Sequence, residues 1–391
     1  QKPRMRNYIH EWIFFELIGE LDLIQIKYFF LNLNINGENN NLYAFEENFD
    51  KVLIERNKRR NGPIFSLFEN FSMNPLENKF DVYNKKFWLN EDNFEFTQKA
   101  IEKLNSFFKS SKNGTDNFDK EKWAKFFAIS DLNFYSHSRI NKSVRYFYNP
   151  VSAQFEPIGY DAHRSVPNFS KHIKNWSEMG IENSLQEALT CKEDLKLCVE
   201  NQSRTYGNFL AYKFFFTNDG KLNVEFFREY KKWVNYLTSK EFLDNFFEQR
   251  DKEINRINSL IYNDYFFTDH NYFYGPGIYY FSKKDIYLRA KNLRNYFKEV
   301  PDKVFFEQLD TEIKITNLSY NNLSYIIDEI QCKNFETKNY NNFKLQKPLE
   351  LGSQSIFLRN TNNQNLICDK VVLLSDEKEN KEIDIYQLLD I

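Results

Sequence analysis

Glycine and proline are scarce in this chain, at 11 and 9 of 391 residues. So low a content excludes collagen-like and Gly/Pro-rich disordered polypeptides. The four cysteines, Cys191, Cys198, Cys332 and Cys368, follow no CxxC or zinc-ribbon spacing, which removes the common structural zinc modules. Cys191 and Cys198 are near enough for a local disulfide in an oxidising compartment, and reduced, partly buried thiols fit the sequence at least as well. No apolar run approaches the ~18 residues of a membrane-spanning helix. Neither sign of charge dominates: 53 basic against 55 acidic residues leave a net charge of −2. No segment is strongly basic, so the electrostatic footprint of a nucleic-acid binder is missing. No secretory signal is present either, but the chain opens on Gln1 almost directly before a helix, and an upstream segment is expected.

What is abundant is aromatic, with 41 Phe and 24 Tyr. Plentiful Asn and Lys beside few Gly, Ala and Pro point to A+T-rich coding, so the aromatic surplus is not read as a set of stacking platforms. At 47.3 kDa the chain is long enough for one large core or two moderate ones.

The apolar spacing predicts a helix over 7–21, with Ile9, Trp12, Ile13, Leu17 and Ile18 on one stripe. A hairpin follows: strand 27–34, a turn at Asn36–Gly37, strand 42–46. A short helix over 48–57 leads to a loop at Gly62–Pro63, and 66–118 read as short helical pieces between polar connections. A helix over 119–131 precedes a second hairpin, VRYFYNP and FEPIGY. Residues 162–190 are a loop with some helix. Helices are then expected over 204–216, 223–236, 239–262 and 281–298. From 311 the pattern changes to short strands broken by Asn-rich turns, a β-rich appendage. The expected fold class is α+β.

The second hairpin carries the chemistry. Asn141 precedes its first strand and Asp161 follows its second, so closing the turn at Asn149–Pro150 brings the two together. Mg²⁺ takes one or two carboxylates together with phosphate oxygens and water, and this pair offers oxygen ligands to one such ion. Protein kinases use the same order: an Asn for the second ion, a hairpin, a metal-binding Asp. The bland alternative is that Asn141 caps a loop and Asp161 ends a strand. His137 and Asp131 each could orient an acceptor hydroxyl. Asp131 sits at a helix C-terminus, where the dipole disfavours a carboxylate, and could equally pair with Arg139 or Arg145. His163 would lie near the phosphates. Glu47 starts the passage between two lobes where adenine would sit, and Glu11 on the first helix could anchor a phosphate-gripping lysine supplied from upstream of Gln1. Taken alone, Glu11 reads as a solvent-facing helix residue.

The segments RNYIHEWIFFELI, GENNNLYAFEENFDK, NGPIF, EKWAKFFAISDL, RYFYNP and FEPIGYD together resemble the spore-coat CotH kinase-like family. The resemblance covers residues 1–270. It implies a diverged, two-lobed protein-kinase-like fold and an ATP-dependent phosphotransferase acting on Ser/Thr of a protein, in a bacterial envelope, surface or secreted setting. In that family's pattern Asp161 matches the metal Asp of P-I-x-x-D, Asn141 the Asn before the aromatic strand, Glu47 the Glu of Y-x-x-x-E, and Glu11 the helix Glu. Two positions depart from it. Active members often carry a second Asp where this chain has His163, and the family's catalytic Asp has no clear counterpart, since Asp131 lies earlier and His137 nearer.

The resulting expectation is a remnant N-lobe and hinge over 1–60, a mostly helical C-lobe over 61–305, and a β-rich accessory domain over 311–391. ATP and Mg²⁺ are the expected cofactors, with Asn141 and Asp161 as metal ligands and His137, Asp131 and Asp161 as catalytic groups. The partner would be a protein substrate, with no nucleic acid. Two alternatives are a kinase-like envelope or coat module that has lost transfer, and hydrolysis of a surface polymer by paired carboxylates.

Overall fold

A computed structural model of the chain describes residues 9–67, 80–109, 115–132, 135–140, 143–162, 183–200, 208–267, 283–309, 312–334, 338–357, 366–375 and 380–384. It mixes helices with several small antiparallel sheets, and divides into two compact units, Gln1–Arg294 and Asn295–Ile391. Residues 1–60 thus share a unit with the helical region, and the second unit begins earlier than 311. Among the described residues no helix is long and apolar enough to cross a membrane.

The first unit opens with α1 (Ile9–Glu20), then β1 (Tyr28–Ile35) and β2 (Glu38–Glu46). Asn36 and Gly37 both take positive φ, 54° and 86°, the two left-handed positions that a tight Asn-Gly hairpin turn requires. Asp50 caps α2 (Lys51–Arg56), its Oδ1 accepting from the Val52 and Leu53 amides at 2.8 and 3.2 Å. The stretch expected as helical pieces holds α3 (Lys85–Trp88) and the 19-residue α4 (Glu91–Lys109), and two short, unexpected strands precede them, β3 (Ile64–Leu67) and β4 (Phe80–Val82). Next come α5 (Lys120–Leu132), β5 (Arg145–Asn149) and β6 (Gln154–Ile158), and the sheet order is β4-β3-β5-β6. Helices α6 (Ser184–Glu193), α7 (Leu195–Glu200), α8 (Phe209–Phe215), α9 (Val224–Leu237), α10 (Lys240–Phe267) and α11 (Lys283–Tyr296) follow.

Two helices organise this unit's core. From Ile9 to Phe15, and again at Leu17 and Ile18, every α1 residue is buried, so the expected stripe is in fact burial all round. Helix α5 is alike, buried without a break from Phe126 to Leu132. Its Trp123 donates from Nε1 to the Phe155 carbonyl at 2.9 Å and stacks on Tyr146 and Phe214, fastening the helix to the β5–β6 hairpin. Many of the aromatic side chains therefore serve as core. Lys213 on α8 is buried among them, its Nζ 5.3 Å from the Phe107 ring centre and 5.8 Å from that of Phe209. Burial pulls its amine down to about 8.

The second unit is mostly β, with a 3-10 turn at Tyr320–Ser324: β7 (Val304–Leu309), β8 (Glu312–Asn317), β9 (Ile326–Asn334), β10 (Tyr340–Pro348), β11 (Gly352–Phe357), β12 (Leu366–Leu374) and β13 (Asn380–Asp384). Sheets β11-β8-β7 and β10-β9-β12-β13 contribute to one apolar cluster, with Phe306, Ile313, Ile315 and Ile356 from the first and Ile327, Ile330, Val371 and Leu373 from the second. All four cysteines are paired. Cys191–Cys198 ties α6 to α7, and Cys332–Cys368 joins directly opposed residues of β9 and β12. The thiol alternative of the sequence is set aside by this pairing.

Two expectations follow. Intact-mass analysis after alkylation without reductant will find no modified cysteine, and replacing Cys332 and Cys368 together by Ser will lower stability by about 3 kcal/mol in denaturant titration. Lys213→Met removes a charge that burial disfavours, so its stability relative to wild type will depend on pH. The folded amine titrates near 8 and an unfolded one near 10.5, so in that interval the unfolded chain binds the extra proton and wild-type stability rises with pH. The stability of Lys213→Met relative to wild type will accordingly fall from pH 8 to pH 10, which thermal unfolding at the two values measures.

Candidate functional site

The β5–β6 register pairs Arg145 with Ile158, so the start of the first strand and the end of the second lie side by side. Ser143 and Asp161 flank that pair. The Ser143 hydroxyl donates to Asp161 Oδ2 at 3.4 Å. His137, on a 3-10 turn at Ser136–Arg139, places Nδ1 3.0 Å from the same oxygen and 3.2 Å from the Asp161 carbonyl. With its proton on Nδ1 the imidazole donates to Asp161, which leaves Nε2 as the basic nitrogen. Ser143 Oγ is 3.4 Å from Nδ1 and completes the group.

Asp161 adopts a left-handed backbone, φ 56°, a conformation that costs a non-glycine residue about 1 kcal/mol or more. The residues around it impose it. At Gly159 the chain passes so close to the core that a Cβ would lie 2.6 Å from the Phe14 ring and 3.2 Å from that of Phe126. Tyr160 packs edge-on to Phe49 and under the Arg145 guanidinium, 4.6 Å from the ring centre. The Ala162 amide donates to Glu11 Oε1 at 3.2 Å. Glu11 is 0 % exposed, which corrects the solvent-facing reading of this helix position. Asp161 itself keeps 19 % of its side chain open to solvent. It is held from inside and presented outward.

Asp131 has a different duty. It is fully buried, its Oδ1 2.7 Å from Arg139 Nη1 and its Oδ2 2.6 Å from the Tyr230 hydroxyl, and both oxygens accept from the Ser184 amide at 3.0 Å. A carboxylate disfavoured at the C-terminus of α5 thus sits at the N-terminus of α6, where exposed amides favour it. Arg139 also reaches Glu187. Burial opposes the Arg139 charge, but the carboxylates of Glu187 and Asp131 outweigh it and hold the guanidinium above its ordinary range. Asp131 is corrected from candidate base to the centre of a structural ion network. Of the two arginines expected as its partner, Arg139 makes the contact, whereas Arg145 donates to Tyr83 Oη at 2.7 Å among aromatic rings.

Glu47 is also committed. Its amide donates to the Lys27 carbonyl at 3.0 Å, its Oε2 accepts from the Lys27 amide at 3.0 Å, and its carboxylate pairs with Arg56. A base near this crossing would have to meet other groups. Asn141 and His163 lie outside the described residues, as does any contact they make. Among the described residues no three His, Cys, Asp or Glu side chains converge as a metal cage. Ser143 and Gly159 were not singled out from the sequence. The hairpin register would have found Ser143, and Gly159, in one of few glycines so near Asp161, was the available hint for the other.

Arg139→Ala should cost about 3–5 kcal/mol, because it leaves Asp131 charged and buried without its cation. Gly159→Ala should cost about 1–3 kcal/mol through overpacking on Phe14 and Phe126. Urea unfolding of the two variants measures both, and a cost below 0.5 kcal/mol in either would refute the corresponding contact.

No protein-family model matches the chain, and no curated protein matches it. Its chemistry therefore rests on its own geometry.

Proposed function

We propose that the chain is an ATP- and Mg²⁺-dependent phosphotransferase of kinase-like, two-lobed architecture, acting on Ser or Thr hydroxyls of a protein, as the CotH resemblance implies. The observation that carries the reading is the outward-facing Asp161, strained into a left-handed backbone beside His137 and Ser143. Its donor set suits the ion: Mg²⁺ asks for one or two rigid carboxylates and fills its other positions with phosphate oxygens and water, so a dedicated protein cage is unnecessary. Asp161 would hold the metal, with Asn141 as the second expected ligand. When bound, the ion would neutralise charge on the transferring phosphoryl group. His137, oriented through Nδ1, takes the acceptor hydroxyl proton at Nε2, and Glu11 keeps the Asp161 segment in register through the Ala162 amide.

A second reading, a kinase-like binding module without transfer, draws support from Asp131. The one other acidic candidate for catalysis is spent on Arg139, Tyr230 and the Ser184 amide. Labelled γ-phosphate transfer by the full chain to itself and to casein separates the two. On the phosphotransferase reading Asp161→Asn lowers turnover at least ~100-fold and His137→Ala by about 10²-fold or more, with little change in melting temperature. Transfer that survives Asp161→Asn overturns the proposal. Mg·ATP binding without transfer, unchanged in Asp161→Asn, establishes the binding module instead.

A further inference from the structure

A concavity lies in the first unit, where the turn before α2, the entry to β3 and the start of α3 meet. Its volume is about 120 Å³, somewhat below the ~150 Å³ of a cavity that accepts benzene. Being open on one side, it can seat one face or edge of a single ring and not a whole nucleoside. Phe49, Tyr83, Phe87 and Trp88 are its aromatic lining. Phe87 and Trp88 stand at 89° to each other and Phe49 and Tyr83 at 43°, so these pairs do not make the parallel slot that would cover both faces of a flat base. Walls at such angles suit a chair-shaped ring with C–H bonds on its faces.

The polar groups agree. Asn61 and Asn84 line the same space, and neither side-chain amide hydrogen-bonds to another described residue. Asn84 stands before α3 with its carbonyl accepting from the Phe87 and Trp88 amides at 2.9 and 3.1 Å, while its side chain makes no capping bond. Each carboxamide both donates and accepts, which matches a hydroxyl. A phenyl ring would strip water from the amides and return no bond. The charged groups at the rim are already engaged: Asp50 caps α2, and Lys51 lies 3.5 Å from Glu55. The lining is mostly apolar, with neutral amides as its uncommitted polar groups.

We propose that this pocket binds a single neutral pyranose ring, its C–H face on the aromatic wall and its hydroxyls on Asn61 and Asn84. The site stands on the pocket alone and holds whether or not the chain transfers phosphate. The test uses the full chain with the methyl glycosides of glucose, galactose and N-acetylglucosamine, followed by saturation-transfer NMR and tryptophan fluorescence. At least one glycoside should bind saturably in the millimolar range. Phe87→Ala, at a position 43 % exposed, and Asn61→Ala should each weaken that binding tenfold or more while leaving the thermal unfolding profile intact. The proposal is overturned if none of the glycosides binds, if binding is undiminished in both variants, or if uridine or p-cresol occupies the pocket more tightly than every glycoside.

Discussion

Four consecutive residues, Gly159 to Ala162, hold the candidate site together. The first is wedged between Phe14 and Phe126, the second lies under Arg145, and the fourth is bonded to a buried carboxylate on α1. Asp161 sits between these anchors with no freedom to relax its backbone. The constraint runs through the deeply buried parts of α1 and α5, whose aromatic residues leave just enough space for a chain without a Cβ. Core packing and site geometry are therefore one problem, and a change of a single methyl group deep in the unit reaches the solvent-facing carboxylate.

A second layer of order is ionic. The 3-10 turn carrying His137 ends in Arg139, whose guanidinium bridges Asp131 and Glu187, while its carbonyl accepts from Asn208. Burying such charges is expensive, and an apolar replacement of the whole network could be as stable. What the network supplies is direction: it ties the end of α5, the start of α6 and the turn beside the candidate site into fixed register. The imidazole's place is set both by its own contact with Asp161 and by a turn anchored on this network.

Much of this was legible in the sequence where local chemistry speaks for itself. The Asn36–Gly37 turn, the second hairpin and helices α9 and α10 fall close to where periodicity and turn residues put them. The hairpin register also brings the expected strand ends together. Strands β3 and β4 escaped because they are four and three residues long, too short for any period to show. Glu11 and His10 resemble a solvent face in the pattern IHEWIFFELI, yet both are buried, because neighbours distant in sequence close over them. Asp131 was visible as an electrostatic oddity, but its resolution required the N-terminus of α6, fifty residues away in the chain. The Cys332–Cys368 pairing likewise depends on strand register that spacing alone does not contain, whereas Cys191 and Cys198 are near enough in sequence to suggest theirs.

The hairpin turn between β1 and β2 has a bearing on chemical ageing. An asparagine followed by glycine loses ammonia when the glycine amide nitrogen attacks the carboxamide, and the succinimide so formed opens largely to isoaspartate. Here that nitrogen, of Gly37, donates to Asn34 Oδ1 at 2.9 Å. The bond that shapes the bend also occupies the atom that would begin its decay, so the shelf life of this loop is tied to how long the hairpin stays closed.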